Sequence, residues 1–173
     1  MDKLSKLLTN GKKLPEMVVF DLDETLWPFW CISHVQRPIK KCDKTGRVTG
    51  NDGKIVSLYQ GAYDLIHQLH NHGLTLGIAS KTPVGNFANE VLHALNIREF
   101  FTYDVMAPRC KKFHFGELSK QSAEHYKDML FFDDNPGNIY DINQLGVTCV
   151  HVENGLTAQN VLDGFQKFQN KHS

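Results

Sequence analysis

Met17-Val-Val-Phe-Asp-Leu-Asp-Glu-Thr25 sets a short apolar run, rich in β-branched residues, directly against two aspartates. A run of this kind bounded by polar residues reads as a strand buried on both faces, as in a parallel sheet covered by helices. Around Ala62, Leu65, Ile66 and Leu69 the apolar spacing changes to three and four, which predicts an amphipathic helix stopped at Gly73. Leu74 to Ala79 follows as a second buried strand. Thr82-Pro83 then offers an N-cap and a first-turn proline to a helix carrying Phe87, Val91, Leu92 and Leu95. A third strand is expected over 100–105 and a helix over about 115–126. Met129-Leu-Phe-Phe132 makes a fourth strand, Pro136 opens a helix that Gly146 closes, 147–152 makes a fifth strand, and Thr157 caps the last helix. Strands alternating with helices imply right-handed crossovers, hence an α/β fold: a Rossmann-like three-layer α/β/α arrangement around a central parallel sheet of about five strands.

A length of 173 residues favours one domain, placed at 17–170, with 1–16 as a loosely ordered leader. The polar, turn-rich stretch from Arg37 to Lys54, within a segment spanning about 31–56, predicts a small β-hairpin flap. Nineteen basic and nineteen acidic residues leave a formal net charge of +0, which argues against a general nucleic-acid or anionic-membrane binder, since both need excess Lys and Arg. Cys31, Cys42, Cys110 and Cys149 form no C-x-x-C pair and are expected as reduced thiols. With no apolar run near the ~20 residues of a membrane span, a cytoplasmic protein is expected, and a monomer.

In open parallel sheets, ligands bind beyond the carboxyl ends of the strands. Asp21 and Asp23 follow the first strand, Ser80, Lys81 and Thr82 the second, Arg109, Lys111 and Lys112 the third, and Asp133 and Asp134 the fourth. Each group alone has a bland explanation as a surface dipeptide, a helix cap or a solvated lysine. Together they differ: two acidic clusters aimed at one point repel, and a hard divalent cation relieves the repulsion. Mg²⁺ prefers oxygen ligands and is usually held by one or two carboxylates plus a substrate phosphate. Ser80 and Lys111 can then take the phosphoryl oxygens that the metal leaves, and a free carboxylate beside that phosphorus is a nucleophile.

The segment Val18 to Pro28 resembles the first motif, D-x-D-x-T/V, of the haloacid dehalogenase superfamily in its phosphatase form, and Ser80, Lys111 and Asp133-Asp134 match the later motifs in order. More narrowly, D-L-D-x-T-L-W-P-F-W, A-S-K-T-P, K-x-x-H-F and F-F-D-D-N with L-G-V-T-C resemble the eukaryotic magnesium-dependent phosphatase family, over about Met17 to Phe168. The resemblance implies Asp21 as the nucleophile that forms an aspartyl-phosphate, and Asp23 as general acid and then base. It implies Mg²⁺ held by the Asp21 carboxylate, the Asp23 backbone carbonyl and Asp134, with Asp133 in support; which of the acidic pair touches the metal stays open. Ser80, Lys81 and Lys111 become substrate-binding residues, although close relatives are expected to carry arginine where this chain has Lys81, so bidentate contact there is not implied. A proton donor two residues after the nucleophile suits phosphate-ester hydrolysis, whose leaving group must be protonated.

Many such phosphatases carry a cap domain. Only 36 positions separate Asp23 from Tyr59, and the stretch from Ser80 to Lys111 already holds a helix and a strand, so no cap is expected and the site is open. A phosphorylated substrate, protein or sugar, is the expected partner. The resemblance implies phosphotyrosine or sugar-type (glycated amine) phosphates and leaves both open. Rival readings are a capless phosphatase of the RNA polymerase C-terminal-domain type acting on phosphoserine, a receiver-like phospho-acceptor, and a silent binding module. A receiver places its acidic pair after the first strand, not the fourth. Trp27, Phe29 and Trp30 are expected to pack the flap or to wall the site; Lys40, Lys41, Lys44, Arg47 and Lys54 make the flap basic; His67, His70 and His72 cannot share one helical face as a metal cluster.

Overall fold

A computed structural model describes residues 1–173. Five parallel strands form the sheet: β1 (Met17–Phe20), β4 (Thr75–Ser80), β5 (Tyr103–Met106), β6 (Met129–Asp133) and β7 (Thr148–His151), in the order β5-β4-β1-β6-β7. All four residues of β1 are buried, because it is the central strand, pairing with β4 on one side and β6 on the other. The chain winds outward from β1 to β5, then crosses back to β6 and winds the other way. The order therefore reverses between β1 and β6, the switch point where such sheets open a crevice at the carboxyl ends.

Alternation along the strands divides the core into two. Val18, Phe20, Leu76, Ile78, Leu130 and Phe132 face a large cluster with α1 (Lys3–Leu8), α3 (Ala62–Asn71), α4 (Gly85–Ala94) and α7 (Ala158–Lys171). Met17, Val19, Ala79, Met129 and Phe131 face a smaller one with α5 (Lys111–Ser122) and α6 (Pro136–Asn143). The three layers follow from period-two strands meeting period-3.6 helices. Helix α7 lies so close to the sheet that a Cβ at Gly164 would stand 2.8 Å from the Phe132 ring, so a side chain there would push the helix off. No helix is long and apolar enough to cross a membrane.

Five sequence expectations shift. The leader carries α1, capped by the Asp2 carboxylate and packed on α7 with Leu4 and Leu8 buried; a single short turn is unstable alone but not once its apolar stripe is covered. Helix α4 starts at Gly85 without a side-chain cap, because the Thr82 hydroxyl accepts from the Val84 N–H and leaves 81–84 as a loop. Helix α5 begins at Lys111 rather than near Phe115, and residues 98–100 form a 3₁₀ turn before a shorter β5. An unexpected helix, α2 (Cys31–His34), precedes the flap. The flap itself is the expected hairpin, β2 (Lys40–Lys41) with β3 (Val48–Thr49). Its basic residues partly serve to hold it down: the Lys41 ammonium donates to the Ala94 carbonyl and the Asn96 amide oxygen at 3.0 Å each, and Arg37 pairs with Glu90.

Candidate active site

The residues singled out at the four strand ends meet in one cleft. Asp21, Asp23, Ser80, Lys81, Lys111 and Asp134 line an open cavity of about 380 Å³, with Thr82, Asn135 and Asn138 completing a polar floor and Trp30, Ile32 and Pro83 an apolar lip. Asp133 lies just beneath, fully buried. Arg109 and Lys112 take no part in this lining.

Local structure explains the convergence. Beyond β1 the amides of Thr25 and Leu26 both donate to the Leu22 carbonyl, and Glu24 adopts φ +61°, which folds the chain back so that Asp21 and Asp23 both face the cleft. Lys111 is the first residue of α5, and its buried ammonium touches the Asp21 Oδ1 at 2.8 Å and Asp133 Oδ2 at 3.1 Å, and donates to the Ala79 carbonyl. Burial works against this cation, but Asp21 and Asp133 outweigh it and hold its pKa above the ordinary lysine value.

Asp21, Asp133 and Asp134 bring carboxylate oxygens within 4.8 Å of one another. Burial raises the pKa of all three above its ordinary value, with Asp134 adding to the effect at Asp21 and Asp21 to that at Asp133. One lysine among two buried carboxylates and a half-buried third leaves negative charge uncompensated, and an oxygen-ligated dication fits that donor set. The acidic pair divides by hydrogen bonding. Asp133 Oδ1 accepts from the Asn135 amide at 2.8 Å and the Asn138 side chain at 3.2 Å, and its Oδ2 faces Lys111. Asp134 is approached by the Thr25 hydroxyl at 3.5 Å, lies beside Asp21, and faces the cleft.

Asp23 differs from its neighbours. Its Oδ1 accepts from the Trp27 indole at 2.7 Å and the Cys31 amide at 3.2 Å, while burial raises its pKa against the effect of both donors. The aromatic run thus splits. Trp27 and Phe29 are buried and stacked, whereas Trp30 is 62% exposed at the mouth. His67 and His70 pack on the Phe100 ring.

Three contributors escaped the sequence reading. Thr25 donates to Asp21 Oδ2 at 3.2 Å and reaches toward Asp134. Asn138 accepts from Lys81 Nζ at 2.7 Å and donates to Asp133, tying the second and fourth strand ends together. Its place one turn into the helix that Pro136 opens was the available signal. The third is His114, fully buried one turn beyond Lys111. Its Nε2 lies 2.9 Å from the Ala107 carbonyl and therefore carries the hydrogen, and its Nδ1 has no partner.

Burial lowers the His114 pKa from 6.5 to about 4. The folded state therefore binds fewer protons than the unfolded one, so this stability is complete above pH ~6.5 and is lost as pH falls toward 4. At 1.36 kcal/mol per pKa unit the loss reaches about 3 kcal/mol. The buried carboxyls contribute with the opposite sign, so the measurement is a difference: urea unfolding of wild type and His114→Phe at pH 7, 5.5 and 4. The wild type is expected to lose more stability than the variant; equal slopes would contradict it.

Comparison with known proteins adds four likenesses. The profile of the family described as Acid Phosphatase matches residues 13–171. The chain is 36% identical over 156 residues to magnesium-dependent phosphatase 1 of Homo sapiens, covering 90% of this chain and 88% of that one. It is 34% identical over 151 residues to a HAD-like hydrolase superfamily protein of Schizosaccharomyces pombe, covering 82% and 87%. The fold resembles a haloacid dehalogenase-like hydrolase of Streptococcus pneumoniae, with a TM-score of 0.61 at 14% identity over 88% and 91% of the two chains.

Proposed function

The chain belongs to the Acid Phosphatase family, as a magnesium-dependent phosphatase of the haloacid dehalogenase superfamily, and from that premise we propose that it hydrolyses phosphotyrosine on proteins through an aspartyl-phosphate. The observation that carries this substrate class is the cleft: open, free of a cap, polar at its floor and apolar only where Trp30, Ile32 and Pro83 form the lip. An open mouth admits a side chain on a folded protein, and an exposed indole offers a face to an aryl leaving group, worth about 0.5–1.5 kcal/mol.

Asp21, Asp134 and the Asp23 carbonyl would hold Mg²⁺, with Asp133 retained by Lys111 and Asn138 as support. When bound, the dication offsets the clustered carboxylates and draws charge from the phosphoryl oxygens. Lys111 and Ser80 orient the phosphoryl group, and Lys81, anchored to Asn138, adds positive charge at its edge. An Asp21 oxygen attacks phosphorus as the bond to the leaving oxygen breaks, and Asp23 gives that oxygen its proton. Water then attacks the phosphorus of the aspartyl-phosphate. Asp23, now ionised, takes the water's proton, and release of phosphate restores Asp21. Burial raises the pKa of Asp23 above its ordinary value, in the direction that a proton donor needs.

A panel of phosphotyrosine peptides, phosphoserine peptides and glycated-amine sugar phosphates, each with Mg²⁺, tests the substrate class. The highest kcat/KM is expected on phosphotyrosine, and Trp30→Ala is expected to raise KM there about three- to tenfold, within the energy of one aromatic contact. Preference for phosphoserine would favour the RNA polymerase-tail type of phosphatase, and preference for the sugar phosphates would assign the cleft to small molecules.

A further inference from the structure

We infer that Trp27 is a positioning residue for the general acid: its indole N–H, together with the Cys31 amide, pins one carboxylate oxygen of Asp23 so that the other oxygen presents the proton to the leaving group. The inference rests on the proposed role of Asp23. Both donors reach the same atom, Oδ1, at 2.7 and 3.2 Å. A carboxyl oxygen that accepts two hydrogen bonds is held as the carbonyl-type oxygen, which leaves Oδ2 to carry the hydrogen.

The donor is rigid. Trp27 is fully buried and stacks on Phe29 with ring centroids 5.4 Å apart and planes 3° from parallel, and Phe29 stacks in turn on His34 of α2. The backbone closes the same loop: the Glu24 amide donates to the Trp27 carbonyl at 2.8 Å, beside a bridge between Asp23 and Trp27. A buried indole N–H requires an acceptor, and any backbone carbonyl would serve. Here the acceptor is the one carboxyl that has to deliver a proton from an open cleft, where no cap closes to orient it.

The test separates this role from packing by leaving-group dependence. Trp27→Phe keeps a flat ring against Phe29 and removes the N–H. The measured quantity is kcat/KM, which reports steps up to departure of the leaving group, on p-nitrophenyl, phenyl and alkyl phosphates. A p-nitrophenolate leaves almost without a proton, whereas an alkoxide cannot. The expected loss is less than about threefold on p-nitrophenyl phosphate and about 10- to 100-fold on the alkyl phosphate, part of the ~10² to 10⁴ that general acid catalysis supplies. A uniform loss, or none, overturns the inference. Asp23→Asn is the reference: if its leaving-group dependence is no steeper than wild type, the acid assignment itself fails. If it is steep while Trp27→Phe parallels wild type, only the positioning role fails. Should phenylalanine unfold the chain, 3-benzothienylalanine at position 27 keeps the bicyclic shape without the N–H and runs the same comparison.

Discussion

Asp21→Asn is expected to lower magnesium-dependent hydrolysis of p-nitrophenyl phosphate by roughly 10⁴-fold or more, because an amide oxygen cannot form the covalent phosphoryl intermediate. The protein should remain folded. Asp21 stands among carboxylates whose mutual repulsion and burial already raise its pKa, so removing its charge relieves strain as well as breaking the contact with Lys111. Lys111 keeps Asp133 as a partner at 3.1 Å. Two measurements decide the matter together: the steady-state rate, and the thermal midpoint without metal. Activity within about tenfold of wild type, with the fold intact, would remove Asp21 from the nucleophile's place.

The second large effect concerns stability. Lys111→Met takes the only buried cation from beside Asp21 and Asp133 and leaves both without it. Breaking a buried ion pair from one side costs about 3–5 kcal/mol, because the remaining charge has lost its partner and has no water. The deficit should appear in chelator as a lower urea midpoint and shrink when Mg²⁺ is added, since the dication supplies the missing charge. It should also depend on pH with a definite sign. Burial raises the folded-state pKa values of Asp21 and Asp133 above the unfolded value, so the folded state binds more protons, and stability falls as pH rises through and beyond ~4. Removing the lysine steepens that fall. A variant as stable as wild type in chelator at pH 7 would show that the three carboxyls are neutral in the resting protein, with Lys111 a spectator.

Within the cleft the lysine works in two directions. Without substrate its ammonium holds Asp21 and Asp133 apart from one another's charge; with substrate, the proposed mechanism turns it toward a phosphoryl oxygen. Burial makes both effects stronger than the same contacts in water would be. The open mouth makes the interior contacts the main source of order: Asn138, Thr25 and Trp27 fix the carboxylates that a closing cap cannot reach.

Much of this was legible along the chain because it depends on near neighbours. Predominantly apolar runs at Met17–Phe20, Leu74–Ala79 and Met129–Phe132 specify buried strands, and the polar residues directly after them are thereby delivered to one edge of a parallel sheet. Charge repulsion between the two acidic clusters pointed to a cation before any coordinate was needed. The short intervals from Asp23 to Tyr59 and from Ser80 to Lys111 argued against a cap in the same way. Side-chain contacts were different, even between residues near in the sequence. Nothing local marks Trp27 as a donor to Asp23 and Trp30 as part of the rim, since both lie in one aromatic run; the fold buries one and exposes the other. Nor does spacing indicate that Asn138 joins Lys81 to Asp133, that His114 stands buried over Ala107, or that Leu4 and Leu8 cover α7. Periodicity and motif order report which residues share a face or a sheet edge, so they were enough for the sheet, the acidic set and the class of chemistry. Hydrogen-bond direction and the burial of one carboxylate rather than its neighbour are decided by how the loops and helices pack, even between near neighbours. Asn135, Asn138 and Lys111 take up Asp133 and leave Asp134 facing the cleft, and Trp27 and Cys31 donate to Asp23, while Lys81 reaches Asn138 across the switch point.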